Sequence, residues 1–230
     1  MRTNDPNIAI VEQITLALGE LTERLVLVGG CAAGLLISDT AQASVRNTDD
    51  VDLIVEAVTK GEYYKLSETL RAKGFQEMPG DVICRWHYQG TKLDVMPTDP
   101  NILGFSNRWY EEALRSATRL TLPSGRMIRI VAAPVFIATK LVAFQGRGEG
   151  NYQASHDVED IISVVDGRAE LLEEFEVASN EIREYLDDEI GVLLGTPAFF
   201  DSIAAHLKPD SASQARLPLV ISRLRVLAGL

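Results

Sequence analysis

The sequence predicts an α/β (α+β) fold: a mixed sheet with flanking helices over residues 1–132, then a mainly helical part over residues 133–230 that closes a shared cleft. Three observations predict it. Short apolar runs bounded by Gly, Pro and Asp, such as LVLV, VDLIV and TKLDVMP, recur before residue 132. Apolar residues between those runs repeat at helical spacing. From Pro134 onward the texture is helical throughout, and no internal repeat stands out.

In chain order, residues 8–23 set Ile8, Val11, Ile14, Leu18 and Leu21 near one side of a helix, weakened by Gly19. LVLV (25–28) reads as a buried strand entering Gly29-Gly30, and Cys31 to Ile37 as a helix starting at those glycines. The looser SDTAQASVRNT leads to a strand over Val51 to Glu56. Residues 60–73 form a helix with Tyr64, Leu66 and Leu70 facing the core and Gly74 as its stop. Strands at 82–89 and 91–96 make a hairpin about Gly90, with Trp86, His87 and Tyr88 alternating across it, one or two of them in the core and stacking on a base as the weaker alternative. A helix over Trp109 to Ala117 precedes a second hairpin around Pro123-Ser124-Gly125. Pro134 opens a helix with Val135, Ala138, Leu141 and Val142 on one stripe. After the Gly-rich GRGEGNYQA, Ser155 caps a further helix, HDVEDIISVV, and everything past Arg168 reads as helix.

Composition narrows the function. Of the 230 residues, 46% are hydrophobic and 24% charged, enough for one large domain or two small ones. No apolar run is long enough to cross a membrane, and the start lacks a cleavable leader pattern, so a cytoplasmic location is expected. Cys31 and Cys84 read as free buried thiols, and with His87, His156 and His206 scattered no zinc spacing exists. Nothing places a histidine beside a nucleophile for Ser-His-Asp chemistry. The net charge of −11 opposes an extended grip on nucleic acid but not a local one.

The informative segment is RNTDDVDLIV. In a strand the side-chain period is two, so Asp50 and Asp52 face the same way, their Cα atoms about 6.5–7 Å apart. Val51, Leu53 and Val55 take the opposite, buried face. Asp94 lies between Leu93 and Val95 in a second apolar strand. If the two strands are neighbours, three carboxylates converge. Such a cluster is costly without a cation, and a hard divalent ion relieves it. Two Mg²⁺ ions about 4 Å apart would activate an attacking hydroxyl and hold a departing pyrophosphate. Asp50 and Asp52 would bind both ions, and Asp94 one, while assisting deprotonation of the nucleophile. Asp49 reads as a surface or turn residue.

Gly29-Gly30 follows a strand and opens a helix, where a backbone without Cβ and free N–H groups can receive phosphate. GGCAAG is neither a dinucleotide fingerprint nor a P-loop. Tight strand-to-helix turns also use glycine for structural reasons alone.

LVGGCAAGLL, RNTDDVDLIV and KLDVMP together resemble the nucleotidyltransferase superfamily that includes DNA polymerase beta. Gly29 and Gly30 match its glycine turn, Asp50 and Asp52 its acid pair, and Asp94 its third acid. The Arg46-x-Thr48-x-Asp50-x-Asp52 form is similar to stand-alone transferases among abortive-infection and type IV toxin proteins. FIATKLVAFQGR and SHDVEDI resemble that group's later segments. The resemblance spans about residues 25–165 and departs from the pattern at Cys31, where the family often carries Ser.

The resemblance implies NMP transfer from an NTP co-substrate to an acceptor hydroxyl, with Mg²⁺ on Asp50, Asp52 and Asp94. Lys140 would touch the triphosphate, with Arg147 assisting and Asp157 or Asp160 orienting Lys140 or bordering the acceptor site. Arg46 would balance the acids or contact phosphate, and Thr48 would shape the turn. It further implies RNA as acceptor, with the 3′ end of tRNA first, a toxin–antitoxin or phage-defence role, and a cognate antitoxin; DNA and membrane partners are not expected. Two other readings stay open: a small-molecule, antibiotic-type nucleotidyltransferase, and a non-catalytic nucleotide-binding or regulatory protein. The segment from Glu170 to the end, with eleven acidic side chains against five basic, would suit a cationic small acceptor.

Overall fold

A computed structural model describes residues 5–42, 45–57, 59–148 and 150–230. The reading of the first four residues, and parts of the loose 38–48 stretch and the Gly-rich link, lie outside the described residues. The described chain runs α1 (Ile8–Leu18), β1 (Leu25–Val28), α2 (Gly29–Leu36), β2 (Asp50–Val55), α3 (Lys60–Ala72), β3 (Arg85–Tyr88), β4 (Thr91–Pro97), α4 (Pro100–Leu103), α5 (Tyr110–Arg115), β5 (Thr118–Thr121) and β6 (Met127–Ile130). Then follow α6 (Ala133–Arg147), α7 (His156–Gly167), α8 (Leu171–Glu176), α9 (Asn180–Leu194), α10 (Pro197–Ser202), α11 (Ser211–Gln214) and α12 (Leu217–Leu227). Among the described residues no helix is long and apolar enough to cross a membrane.

The chain divides into two compact units. One holds the described residues of Thr3–Ala32 and Arg46–Ala132; the other holds those of Ala33–Val45 and Ala133–Leu230. The sheet unit carries all six strands in the order β3-β4-β2-β1-β6-β5. β2 pairs with β4 and β1 with β6 in parallel, and the remaining pairs are antiparallel. This is the mixed sheet with flanking helices that the alternating strands and helical stripes predict.

The sheet is buried where its sequence is uninterrupted hydrocarbon. All four residues of β1 are buried, as are Val51, Leu53, Ile54 and Val55 of β2. Val11, Ile14 and Leu18 of α1 share their packing space with Leu27, Val51 and Leu53, so α1 covers the face opposite Asp50 and Asp52. On β4, Leu93 and Val95 are fully buried.

Several local expectations shift for identifiable reasons. The helix expected over 8–23 ends at Leu18, because Gly19 takes φ 57° and the chain continues as a 3-10 turn to Arg24. On α3 it is Tyr63, not Tyr64, that is buried. Tyr63 shares a stripe with Leu66, Ser67 and Leu70, whereas Tyr64 falls off it, and the Tyr63 hydroxyl donates to the Val95 carbonyl at 2.8 Å. The first hairpin strand begins at Arg85 rather than residue 82, with Val82 and Ile83 exposed. Of the alternating aromatics, Trp86 is in the core and Tyr88 packs against Phe75 with ring centroids 4.8 Å apart.

The helical unit is built from amphipathic helices with Ser155 and Ser179 accepting from Val158 and Ile182 at their N-termini. Its 33–42 segment is tied in through the backbone, where Ser38 and Asp39 both donate to the Gly167 carbonyl at 3.0 and 2.9 Å. A Cβ on Gly167 would lie 2.8 Å from Gln42 and Ile37, so this close approach depends on glycine. Arg216 secures the same corner by donating to Asp166 at 2.6 Å and Asp39 at 2.7 Å.

Candidate metal centre

Register determines where the acids meet. Asp52 on β2 is the direct partner of Asp94 on β4, Asp94 is the partner of Arg85 on β3, and Asp52 is the partner of Val28 on β1. Directly opposed residues project to the same face, so one row across the sheet reads Arg85, Asp94, Asp52 and then the turn into Gly29. Asp50, two residues before Asp52, joins from the open end of β2, with Lys92 as its register partner. One carboxylate oxygen from each of Asp50, Asp52 and Asp94 lies within 4.8 Å of the others. Asp50 and Asp52 are half-buried and Asp94 is buried. Asp49 is exposed, as a turn residue should be.

The glycine turn is shaped by the acids. Gly29 has φ 66°, and a Cβ there would sit 1.8 Å from Asp52 Oδ2. A Cβ on Gly30 would lie 3.0 Å from Arg46 Nη2 and 3.5 Å from Thr48. The first glycine therefore makes room for a carboxylate, and the second for the side chains of the loop leading into β2.

That loop is held from both sides. Thr48 Oγ1 donates to Asp50 Oδ1 at 2.6 Å, fixing the carboxylate's rotamer. Asn7, buried just before α1, donates to the Arg46 carbonyl at 3.1 Å and accepts from the Thr48 backbone N–H at 2.9 Å. Cys31 Sγ lies 3.3 Å from the Asp50 carbonyl. Burial pushes the Cys31 thiol well above its ordinary range, and the nearby Asp52 charge adds to this. It is a small neutral core residue, as expected. Burial likewise raises Cys84 to about 11, with Asp94 adding to the shift, so neither thiol is a thiolate at neutral pH.

Arg85 is the residue that sequence reasoning missed. Its Nε donates to Asp94 Oδ1 at 2.8 Å and its Nη2 to Asp94 Oδ2 at 2.7 Å, a bidentate pair, while Nη2 also stands 3.8 Å from Asp50 Oδ2. Those hydrogen bonds hold its pKa above the ordinary guanidinium value, against the opposing effect of burial. The available signal was the hairpin register: a tight turn at Gly90 puts Arg85 opposite Asp94. Asn7 had no comparable signal, because it acts across 41 residues of chain.

The donor set suits a hard cation. Three carboxylates without sulfur or imidazole offer the oxygen ligands that Mg²⁺ prefers, and a partly open cluster leaves room for water or phosphate. The acids would hold the ion, and Thr48 would hold one of the acids.

The remaining predicted residues form a second cluster, in the helical unit. Lys140 Nζ is buried on α6, 3.2 Å from Asp157 Oδ1 and 2.7 Å from Asp160 Oδ2 on α7. Arg147 pairs with Asp157 through two hydrogen bonds at 2.8 and 2.9 Å. Burial alone would raise the Asp157 carboxyl, but the Arg147 hydrogen bonds and the Lys140 charge outweigh it and leave it below the usual range. Asp157 and Asp160 are thus buried ion-pair partners rather than solvated helix acids. His156 stands exposed at the start of α7, 3.1 Å from Glu159.

No family model and no curated protein matches the sequence. Solved structures similar to the chain include the solution structure of the antibiotic-resistance factor ANT(2'')-Ia, at 18% identity and TM-score 0.48, covering 77% of this chain and 91% of that one. They also include a crystal structure of a candidate nucleotidyltransferase from H. pylori, at 12% identity and TM-score 0.46, covering 100% of this chain and 96% of that one.

Proposed function

We propose that the chain is a divalent-metal-dependent nucleotidyltransferase, moving an NMP from an NTP to an acceptor hydroxyl with release of pyrophosphate. One observation carries the reading: carboxylate oxygens of Asp50, Asp52 and Asp94, from adjacent parallel strands, gather within 4.8 Å of one another. Mg²⁺ held there would polarise the α-phosphate, favour the ionised acceptor hydroxyl and neutralise the leaving pyrophosphate.

The chain's own residues do the rest. Thr48 fixes Asp50, and the absence of a Cβ on Gly29 lets Asp52 reach its place. Asp94 is the carboxylate assigned to assist deprotonation of the acceptor hydroxyl. The N-terminal N–H groups of α2, entered through Gly29 and Gly30, are assigned to phosphate oxygens. Arg46, packed over Gly30, adds positive charge on the same side. Lys140 and Arg147 are assigned as nucleotide contacts, with Asp157 and Asp160 orienting the lysine, on the resemblance of their segments.

For the acceptor, the Arg46-x-Thr48-x-Asp50-x-Asp52 pattern favours the 3′ end of an RNA, tRNA first, in a toxin–antitoxin or phage-defence setting with a cognate antitoxin. The net charge of −11 suits docking of an RNA end rather than a long duplex. A cationic small molecule is the second reading, favoured by the acidic excess of the segment after Glu170. The deciding experiment incubates the protein with each labelled NTP and Mg²⁺, in parallel with total RNA and with aminated small molecules. Label on RNA ends supports the first reading, and label on a small molecule the second. Binding of NTP and metal without transfer would make the chain a regulatory binder, and neither binding nor transfer would end the proposal.

A further inference from the structure

Arg85 stands where a divalent ion would compete with it. Both oxygens of Asp94 are committed to its guanidinium, at 2.8 and 2.7 Å, and the same group leans toward Asp50 at 3.8 Å. A magnesium ligand bond is about 2.0–2.1 Å long and demands near-octahedral order. An oxygen of Asp94 engaged by the guanidinium fork cannot meet that demand without moving or sharing its lone pairs with an adjacent positive charge. The cluster therefore has two ways to be neutralised, one covalent to the chain and one from solution.

We infer that Arg85 is a built-in counter-cation that holds the acid cluster together without metal and must release Asp94 for metal to bind. The inference rests on the metal-centre reading of Asp50, Asp52 and Asp94 given above. Three features support the exchange. Arginine remains charged at any working pH, so the pair is switched by competition rather than by protonation. With Arg85 in place, one of three acid charges is already balanced, and the remaining field for an incoming cation is weaker. The Arg85 side chain keeps a quarter of its surface exposed, whereas Asp94 keeps about a tenth, so the arginine is the partner with room to withdraw.

Withdrawal has a second effect. A guanidinium displaced from Asp94 stays at the rim of the cluster on β3, where an oxyanion of a metal-bound triphosphate is the natural new partner. Metal binding and phosphate binding would then be coupled through one side chain: Arg85 lowers affinity for the ion alone and raises affinity for the ion with its nucleotide. Free metal would not be sequestered in the absence of NTP.

The test is Mn²⁺ binding to the full chain, read by the electron paramagnetic resonance of free ion, without nucleotide. Arg85→Met should bind Mn²⁺ about ten-fold or more tightly than wild type, with Arg85→Lys in between. Adding a non-hydrolysable NTP should tighten Mn²⁺ binding more in wild type than in Arg85→Met. Equal or weaker Mn²⁺ binding by a folded Arg85→Met, with binding still lost in Asp52→Asn, overturns the inference and leaves the metal centre standing. No binding by any variant overturns both. If Arg85→Met does not fold, the wild-type Arg85 Nε–H resonance decides: saturating Mg²⁺ should shift it away from its carboxylate-bonded position, and an unmoved signal at saturation overturns the inference.

Discussion

Gly29 and Asp52 occupy each other's space: a Cβ on the glycine would fall 1.8 Å from the carboxylate oxygen Oδ2. The φ of 66° at Gly29 adds a second reason for glycine, since an L side chain in that region is strained. Gly29→Ala should cost roughly 2–4 kcal/mol of stability and displace Asp52. Gly30→Ala meets the movable end of Arg46 at 3.0 Å and should cost less than half as much. Chemical denaturation of the two variants beside wild type checks the order; equal losses would mean the turn adapts around Asp52.

The three acids should separate when mutated. Asp52→Asn keeps the shape and removes one charge from a crowded cluster, so stability should stay within about 1 kcal/mol of wild type. Transfer should fall at least about 10²-fold. Asp94→Asn should lose activity and also about 1–3 kcal/mol of stability, because the part-buried Arg85 loses its bidentate partner. Thermal unfolding and NTP turnover of the same two preparations provide both readings. An Asp52→Asn enzyme of full activity would remove that carboxylate from the mechanism.

The acid cluster was legible because strand chemistry is local. A two-residue period fixes Asp50 and Asp52 on one face, and Leu93 and Val95 identify the strand that carries Asp94. What sequence could not supply was adjacency of β2 and β4, which are separated by α3 and β3 and meet by a long crossover. Arg85 escaped notice because its role exists only through the register of the β3–β4 hairpin, which sets it opposite Asp94. Tyr64 was misassigned against a signal the sequence does hold: the three- and seven-residue spacing to Leu66 and Leu70 selects Tyr63, whose hydroxyl then bonds the Val95 carbonyl on β4. On α6 and α7, three-residue spacing placed Asp157 and Asp160 on one face, but the burial of both beneath Lys140 depends on helix packing that local periodicity does not encode.

Lys140 poses a problem for a simple alanine test. Asp157 and Asp160 are both buried, so removing the ammonium leaves Asp160 deprived of a partner at 2.7 Å and weakens the pairing of Asp157. Lys140→Ala should cost about 3–5 kcal/mol, and any loss of NTP use would be confounded with unfolding. Lys140→Met combined with Asp160→Asn removes one charge of each sign and should recover at least about half of that cost. In this double variant, a raised KM for NTP with stability largely restored supports the nucleotide contact. An unchanged KM in the folded double variant rejects it.

Asp157 should give acid sensitivity of a definite sign. Its carboxyl lies below the ordinary value in the folded chain, held there by Arg147 and Lys140 against its burial. A carboxylate with a depressed folded pKa contributes stability that is complete above its unfolded value, about 3.9, and is lost as pH falls through the folded one. Asp157→Asn should therefore be less stable than wild type at neutral pH, by about 1–3 kcal/mol, with the gap closing as the pH drops below about 4. Asp166 has the opposite sign: burial raises its carboxyl despite the hydrogen bond from Arg216, so its ionised form is a cost that disappears on acidification. Asp166→Asn should lose its disadvantage, or gain an advantage, toward neutral pH rather than toward acid. Urea unfolding of the three proteins between pH 3 and pH 7 separates the signs, and a pH-independent gap for Asp157→Asn would show that its ion pairs with Arg147 and Lys140 do not stabilise the fold.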